Sequence, residues 1–265
     1  MSPSKPVLLL ICDTLPADIV AEYGDYHSIF TTLLHSSGVE LSIPPSSITL
    51  KPYDAVSGSY PTENAVDESQ GILITGSKAS AYEDIEWINK LVEFVRRVAT
   101  DKPSVKIVGI CFGHQIIGRA LGGRVVKNNG KWEVGPTPIE LTTLGKEVFG
   151  SDSLYIQEMH QDVVSEMPPQ FHLLGSTSVA LNQGMVRLID GASPSTTSGL
   201  SNIHIFTVQG HPEFTQGLVN MLLEPRLKSG ILSAEVVEDA RRRAGWRNDG
   251  VTVIGKAILG VLGFV

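Results

Sequence analysis

Through the first half of the chain, continuous apolar runs take turns with amphipathic stretches. "VLLLIC" (7–12), "GILITG" (71–76) and "VKIVGIC" (105–111) show almost no polar alternation. That is the pattern of strands covered on both faces. "VELSI" (39–43) predicts one more short strand. In "YHSIFTTLLHSSG" (26–38), Ile29, Leu33 and Leu34 recur at helical spacing and Gly38 supplies a stop. In "DIEWINKLVEFVRRVAT" (84–100), Ile85, Ile88, Leu91, Val92 and Val95 form a helix stripe. "HQIIGRALGG" (114–123) predicts a helix directly behind the third run. The stretch 44–70 is rich in Pro, Ser, Gly and acids and reads as mostly loop with room for one strand. The order β-α-β-loop-β-α-β-α implies an α/β fold with a parallel sheet and right-handed crossovers.

After residue 124 the runs shorten. "RVVKN", "TPIELTTL", "LYIQEMH", "HLLGST", "GMVRLI" and "IHIFTV" predict a partly antiparallel extension of the sheet. A polar loop of low complexity covers 190–202. Helices are predicted over 215–228 and 233–244. In the tail, Ile254, Ala257, Ile258, Val261, Leu262 and Val265 recur at helical spacing, which predicts a helix docked on the core. No repeat or composition break divides the chain. The expectation is one domain over 1–265, with the helices of about 215–265 packed on it.

Composition narrows the function. The formal charge is −7 and no dense basic run is present, which argues against a nucleic-acid partner. "ARRRAGWR" (240–247) reads as a solvated helix end. No apolar stretch reaches the roughly 18 residues of a membrane span, so no membrane partner is expected. The N-terminal run ends at Asp13 without a small-residue cleavage pattern and reads as a strand, not a signal peptide. Two cysteines far apart, Cys12 and Cys111, fit a reducing compartment, and a cytoplasmic location is expected.

Cys111 stands out. "GICFG" (109–113) places it between two glycines at a strand-to-helix turn. Such a turn strains the central residue and projects its side chain, while flanking glycines avoid clashes with neighbouring strands. A thiol at a helix N-terminus is favoured as thiolate, and the backbone N–H of Phe112 is free to hold an oxyanion. Cys12, in the first strand, is expected to be buried and less reactive. "QGHPEF" (209–214) offers His211 as a base and Glu213 to orient it. His114 reads as structural.

"GICFGHQ" together with "QGHPEF" resembles the class I glutamine amidotransferases, and the resemblance spans about Val7 to Leu223. It implies a flavodoxin-like fold, a central mostly parallel sheet with helices on both faces. It implies Cys111 as nucleophile, His211 as general base and acid, and Glu213 as its orienting carboxylate. It also implies oxyanion donors on the backbone near Gly76 or Ser77 and at Phe112, although "GSK" (76–78) departs from the family's usual Gly-Gly-Pro. Gln115, His160, Gln161 and Asp162 are the implied substrate-binding residues. No metal or organic cofactor is implied.

The wording of the motifs is most similar to stand-alone members that include γ-glutamyl peptidases. The leading expectation is therefore a hydrolase acting on a small γ-glutamyl compound. Two alternatives stand beside it: a glutaminase that gives ammonia to a separate synthase in trans, and a non-catalytic module with a relic triad. The leaving group is expected near Ser77–Asp84, Trp132 and the 190–202 loop. Nothing in the sequence reads out the leaving group or the oligomeric state.

Overall fold

Val7–Ile11 (β1) is apolar on both sides because it lies inside a sheet with two cores. Val7 and Leu9 face one cluster, Leu8 and Leu10 the other, as a period of two demands. A computed structural model describes residues 5–189 and 199–265. Beside β1 lie Leu50–Asp54 (β2) and Gly71–Ile74 (β3), both parallel to it. Next come Ile107–Ile110 (β4) and Ile203–Val208 (β11), also parallel. The parallel order β2-β1-β3-β4-β11 is the flavodoxin-like arrangement.

The sheet continues antiparallel through Gly184–Leu188 (β10), Phe171–Ser176 (β9), Glu133–Leu141 (β6) and Leu154–His160 (β7), nine strands in all among the described residues. Arg124–Lys127 (β5) and Asp162–Glu166 (β8) form a separate two-stranded sheet. The predicted antiparallel extension is present, and β7 and β11 have the bounds their sequence runs predict.

Helices cover both faces. Tyr26–Glu40 (α2), Thr143–Phe149 (α6) and Lys256–Val261 (α9) pack on one, with Phe30, Leu34, Phe149, Ile258 and Leu259 buried against Val108 and Phe206. Glu63–Asp67 (α3), Glu86–Asp101 (α4) and Phe112–Ala120 (α5) cover the other. A third cluster joins Ala17–Tyr23 (α1), Gln216–Lys228 (α7) and Ala234–Arg242 (α8) to β6 and β7. The tail docks as its spacing predicts: Ile254, Ala257, Ile258, Val261 and Leu262 are buried and Val265 is exposed.

Two predicted elements differ. "VELSI" is not a strand. α2 runs through Gly38 to Glu40, and the chain turns at Ser42, whose φ is 59°. Gly38 is no stop, because it lies inside the packed helix, where a Cβ would fall 2.8 Å from Ile48 Cδ1. The second strand is β2, within the stretch read mostly as loop. In "TPIELTTL", the strand ends at Leu141 and Thr142 caps α6, accepting the Gly145 N–H.

Candidate active site

The C-terminal ends of the parallel strands converge on a cleft of about 840 Å³. Ligands bind at this end of open α/β sheets because the loops there leave a crevice where strand order reverses. Asp13 reaches the cleft from behind β1, Ser77 from behind β3, Cys111 from behind β4 and His211 from behind β11.

Cys111 is the N-cap of α5 and has φ 51° and ψ −103°. That is strained for a residue with a side chain. A Cβ on Gly113 would lie 2.5 Å from Ile74 O, and one on Gly109 would lie 2.7 Å from Gly113 C and O. The two glycines let strand, turn and helix approach this closely, so the elbow geometry is a steric consequence of the sequence. Gly76 plays a similar part beside it: a Cβ there would be 2.8 Å from His211 Cε1 and 3.7 Å from Cys111 Cβ. The backbone of the loop after β3 therefore lies directly against the Cys111–His211 pair.

His211 is fixed from three sides. Its N–H donates to Gln157 O at 2.7 Å, tying the loop after β11 to β7. Its ring stacks flat on Phe214, with centroids 4.0 Å apart and planes 5° apart. Its Nδ1 lies 2.8 Å from Glu213 Oε1, where an Nδ1–H donates to the carboxylate. Burial alone would pull the His211 pKa down, but the charges of Cys111 and Glu213 and hydrogen bonds to both hold it well above its ordinary value. Burial pushes the Cys12 thiol up instead, leaving it a packed thiol. The arrangement has the parts of a nucleophile, a base and an orienting carboxylate.

The N–H groups of Gly76, Ser77 and Phe112 have no hydrogen-bond partner among the described residues. Phe112 is the first residue of α5, where a helix N–H has no intrahelical partner. Thr75 sharpens this picture and carries no signal in the sequence. Its hydroxyl accepts the Cys12 N–H at 3.0 Å and donates to Gly76 O at 3.0 Å. In a planar trans peptide the following N–H, that of Ser77, must then point the opposite way.

Gln115 and Gln209 lie under Cys111. Gln115 Nε2 donates to Asp162 O at 2.9 Å and to Gln209 Oε1 at 3.1 Å, while Gln209 Nε2 donates to Cys111 Sγ at 3.6 Å. The buried Gln115 amide is thus engaged with protein atoms. Gln209 is part of "QGHPEF", but only the fold reveals its contact with the thiol.

His160, Gln161 and Asp162 form the turn between β7 and β8 and line the cleft. Both ring nitrogens of His160 face the protein. Nδ1 lies 3.1 Å from Asp162 O, and Nε2 lies 3.0 Å from Glu133 Oε2 and 3.3 Å from Glu158 Oε2. Glu133 also accepts from Thr177 and Gln183, at 2.6 and 2.7 Å. Neither oxygen of Glu158 has an aligned partner. Burial first, then the neighbouring Glu133 charge, raises the Glu158 pKa well above its ordinary value. Burial also raises Asp162, against lowering by Ser80, Lys127 and His160. His114 donates to or accepts from Thr207 Oγ1 at 2.8 Å, and burial pulls its pKa down to about 3.

Of the positions expected at the leaving-group side, Ser77, Lys78, Ser80, Tyr82 and Trp132 line the cleft. Residues 190–198 lie outside the described residues, and 199–202 sit before β11, at the opposite end of the sheet from the site. Arg241, Arg242 and Arg243 each pair with Glu224 or Asp239. Among the described residues no group of three or more His, Cys, Asp or Glu is placed to hold a metal, and no helix is long and apolar enough to cross a membrane.

Known proteins resemble this chain in sequence and in fold. The family model "Glutamine amidotransferase class-I" matches residues 23–224. A glutamine amidotransferase-like protein of Schizosaccharomyces pombe is 35% identical over 240 residues, covering 90% of this chain and 91% of its own. Gamma-glutamyl peptidase 4 of Arabidopsis thaliana is 27% identical over 247 residues, 91% of this chain and 88% of its own. The crystal structure of a glutamine amidotransferase from Thermotoga maritima superposes with a TM-score of 0.67 at 16% identity, covering 97% of this chain and 98% of that one.

Proposed function

The chain belongs to the class I glutamine amidotransferase family, and from that premise we propose that it is a cysteine hydrolase cleaving the γ-glutamyl amide bond of a small γ-glutamyl compound. Cys111 is the nucleophile, His211 the general base and acid, and Glu213 the residue that orients His211. The observation that carries this reading is the strained Cys111 elbow beside a buried His211–Glu213 pair at 2.8 Å, with Cys111 and His211 opening on one cleft.

His211 takes the Cys111 thiol proton as sulfur bonds to the γ-carbonyl carbon. The oxygen becomes an oxyanion facing the free N–H groups of Ser77 and Phe112, with Gly76 as a further donor. The C–N bond then breaks, the proton on His211 passes to the leaving amine, and a γ-glutamyl thioester remains. Water, losing a proton to His211, attacks the thioester. Glutamate departs and the thiol regains its proton.

A peptide leaving group, as opposed to ammonia alone, is supported by two facts. The cleft, at about 840 Å³, exceeds what glutamine fills. Relatives across most of the chain are named gamma-glutamyl peptidases. The polar residues Gln161 and Asp162, on the turn after β7, are the proposed contacts for the α-amino end, with Gln115 and His160 holding that turn in place.

The test is glutamate release by the purified protein from glutamine, glutathione and simple γ-glutamyl dipeptides. The expected result is release from the γ-glutamyl peptides and its loss in Cys111→Ala. Full activity in Cys111→Ala would overturn the nucleophile assignment. Release from glutamine alone would favour a glutaminase serving a separate synthase.

A further inference from the structure

Arg226 is a cation in the cleft that the reaction above does not use. It lies in the last turn of α7, between Leu222 and Ile231 on the cleft wall. Its backbone is pinned, because its carbonyl accepts the N–H groups of Ile231 at 2.9 Å and Leu232 at 3.1 Å. Its side chain is not pinned. A guanidinium has five N–H donors, yet among the described residues the one hydrogen bond from this side chain runs from Nη1 to Leu222 O at 3.2 Å. No carboxylate pairs with it among the described residues.

Two other charged groups on the cleft, Asp13 and Lys78, are paired with each other. Asp13 Oδ1 meets Lys78 Nζ at 3.1 Å, and Asp13 Oδ2 accepts the Lys78 N–H at 2.8 Å. Lys127, at the end of β5, stands opposite Asp162 in the β5–β8 pairing and makes no ion pair among the described residues. Arg226 is partly withdrawn from water, which lowers its pKa, and the nearest acidic groups acting on it are Tyr26, Asp13 and Cys111. A partly desolvated guanidinium with open donors facing a cleft matches a carboxylate from outside the chain.

The wall on which it sits identifies the end of the substrate. His211 must hand its proton to the leaving amine, so the leaving group lies on the His211 side of the scissile bond. His211 stacks on Phe214, and Phe214 packs in the same cluster as Leu218 and Leu222 of α7. That apolar surface leads from His211 to Arg226. The turn carrying Gln161 and Asp162 joins β7 to β8 and belongs to neither α7 nor the His211 loop.

We propose that Arg226 is a specificity-determining residue that binds a carboxylate on the leaving group, so that the substrates are γ-glutamyl amino acids or short γ-glutamyl peptides with a free C-terminal carboxylate. This rests on the reading of Cys111 as a γ-glutamyl hydrolase nucleophile. Beyond that reading, the leaving part must carry a carboxylate.

The experiment compares glutathione with its C-terminal amide. In the unaltered protein, kcat/KM for the acid is expected to exceed that for the amide by about 10- to 100-fold, the usual worth of a charge-assisted hydrogen-bond pair. Arg226→Met is expected to bring the acid-to-amide ratio close to one, mainly through KM for the acid, and Arg226→Lys to restore part of it. Equal cleavage of acid and amide by the unaltered protein overturns the proposal without needing any variant. An acid-to-amide ratio left intact in Arg226→Met, with both substrates slowed alike, overturns it too and would assign Arg226 to the glutamyl end. Failure of the γ-glutamyl reading looks different: no glutamate is released from either compound.

Discussion

Glu158 shows how one residue couples the site to stability. It is buried in β7 with no aligned hydrogen bond, its pKa raised first by burial. The folded state therefore keeps a proton on Glu158 where the unfolded chain, above its ordinary pKa near 4.5, releases it. Stability from this group is full below pH 4.5 and falls as pH rises towards its folded value, by about 1.4 kcal/mol per unit. Glu158→Gln removes that dependence. Urea unfolding at pH 5.5 and 7.5 should show the variant gaining on the parent at the higher pH. A constant difference would mean that Glu158 is ionised in the fold. Thr75 couples to chemistry instead, through the peptide that presents the Ser77 N–H. Thr75→Val should lower kcat about tenfold with little change in KM, a loss smaller than removal of a whole oxyanion donor, and Thr75→Ser should recover most of it. A KM effect alone would remove Ser77 from the oxyanion hole.

At the scale of elements, the elbow is the part most open to a test by sterics. A Cβ at position 113 meets the backbone of β3, which cannot rotate away as a side chain can. Gly113→Ala should cost about 1–3 kcal/mol by overpacking and displace Cys111, so activity should fall more than stability; a stable, fully active variant would contradict the close packing. This element was legible in the sequence because its constraint is local: two glycines, one thiol, a buried run before and a helix after. The buried parallel strands were legible for the same reason, since a run such as "VLLLIC" has no polar face to offer water. "VELSI" misled because strand propensity of Val39, Leu41 and Ile43 is weak against the packing of α2 around Ser37 and Gly38, where Ser37 Oγ donates to Val251 O at 2.9 Å from 214 residues away. β2 was nearly silent because it is an edge strand, half exposed and carrying Pro52. The contacts of Thr75, Gln209, Glu133 and Glu158 were invisible for a related reason. Each depends on residues brought together by the sheet from distant parts of the chain, and none has a local pattern of its own.

For the whole molecule, the site and α9 lie at opposite ends of the sheet. Lys256–Val261 packs on α2, on the 200–202 turn and on β11, while 250–255 pass the His211 loop, where a Cβ on Gly250 would fall 2.1 Å from Pro212 O; Cys111 and His211 follow the far ends of β4 and β11. Ile254, Ile258, Leu259 and Val261 are wholly buried and Leu262 is 1% exposed. Each such side chain contributes about 1.5–3 kcal/mol by burial, so the five together match the roughly 5–15 kcal/mol that holds a typical protein folded. A chain ending at Asp249 should therefore show no cooperative thermal transition by circular dichroism. A single cavity separates stability from chemistry more finely. Ile258→Ala should cost about 2–5 kcal/mol and lower the melting temperature by roughly 5–15 °C. Its kcat/KM, measured well below that temperature, should stay within about twofold of the parent, because nothing in the helix touches the cleft. A loss of activity in the folded variant would instead mean that packing at the foot of the sheet is transmitted along β11 to His211.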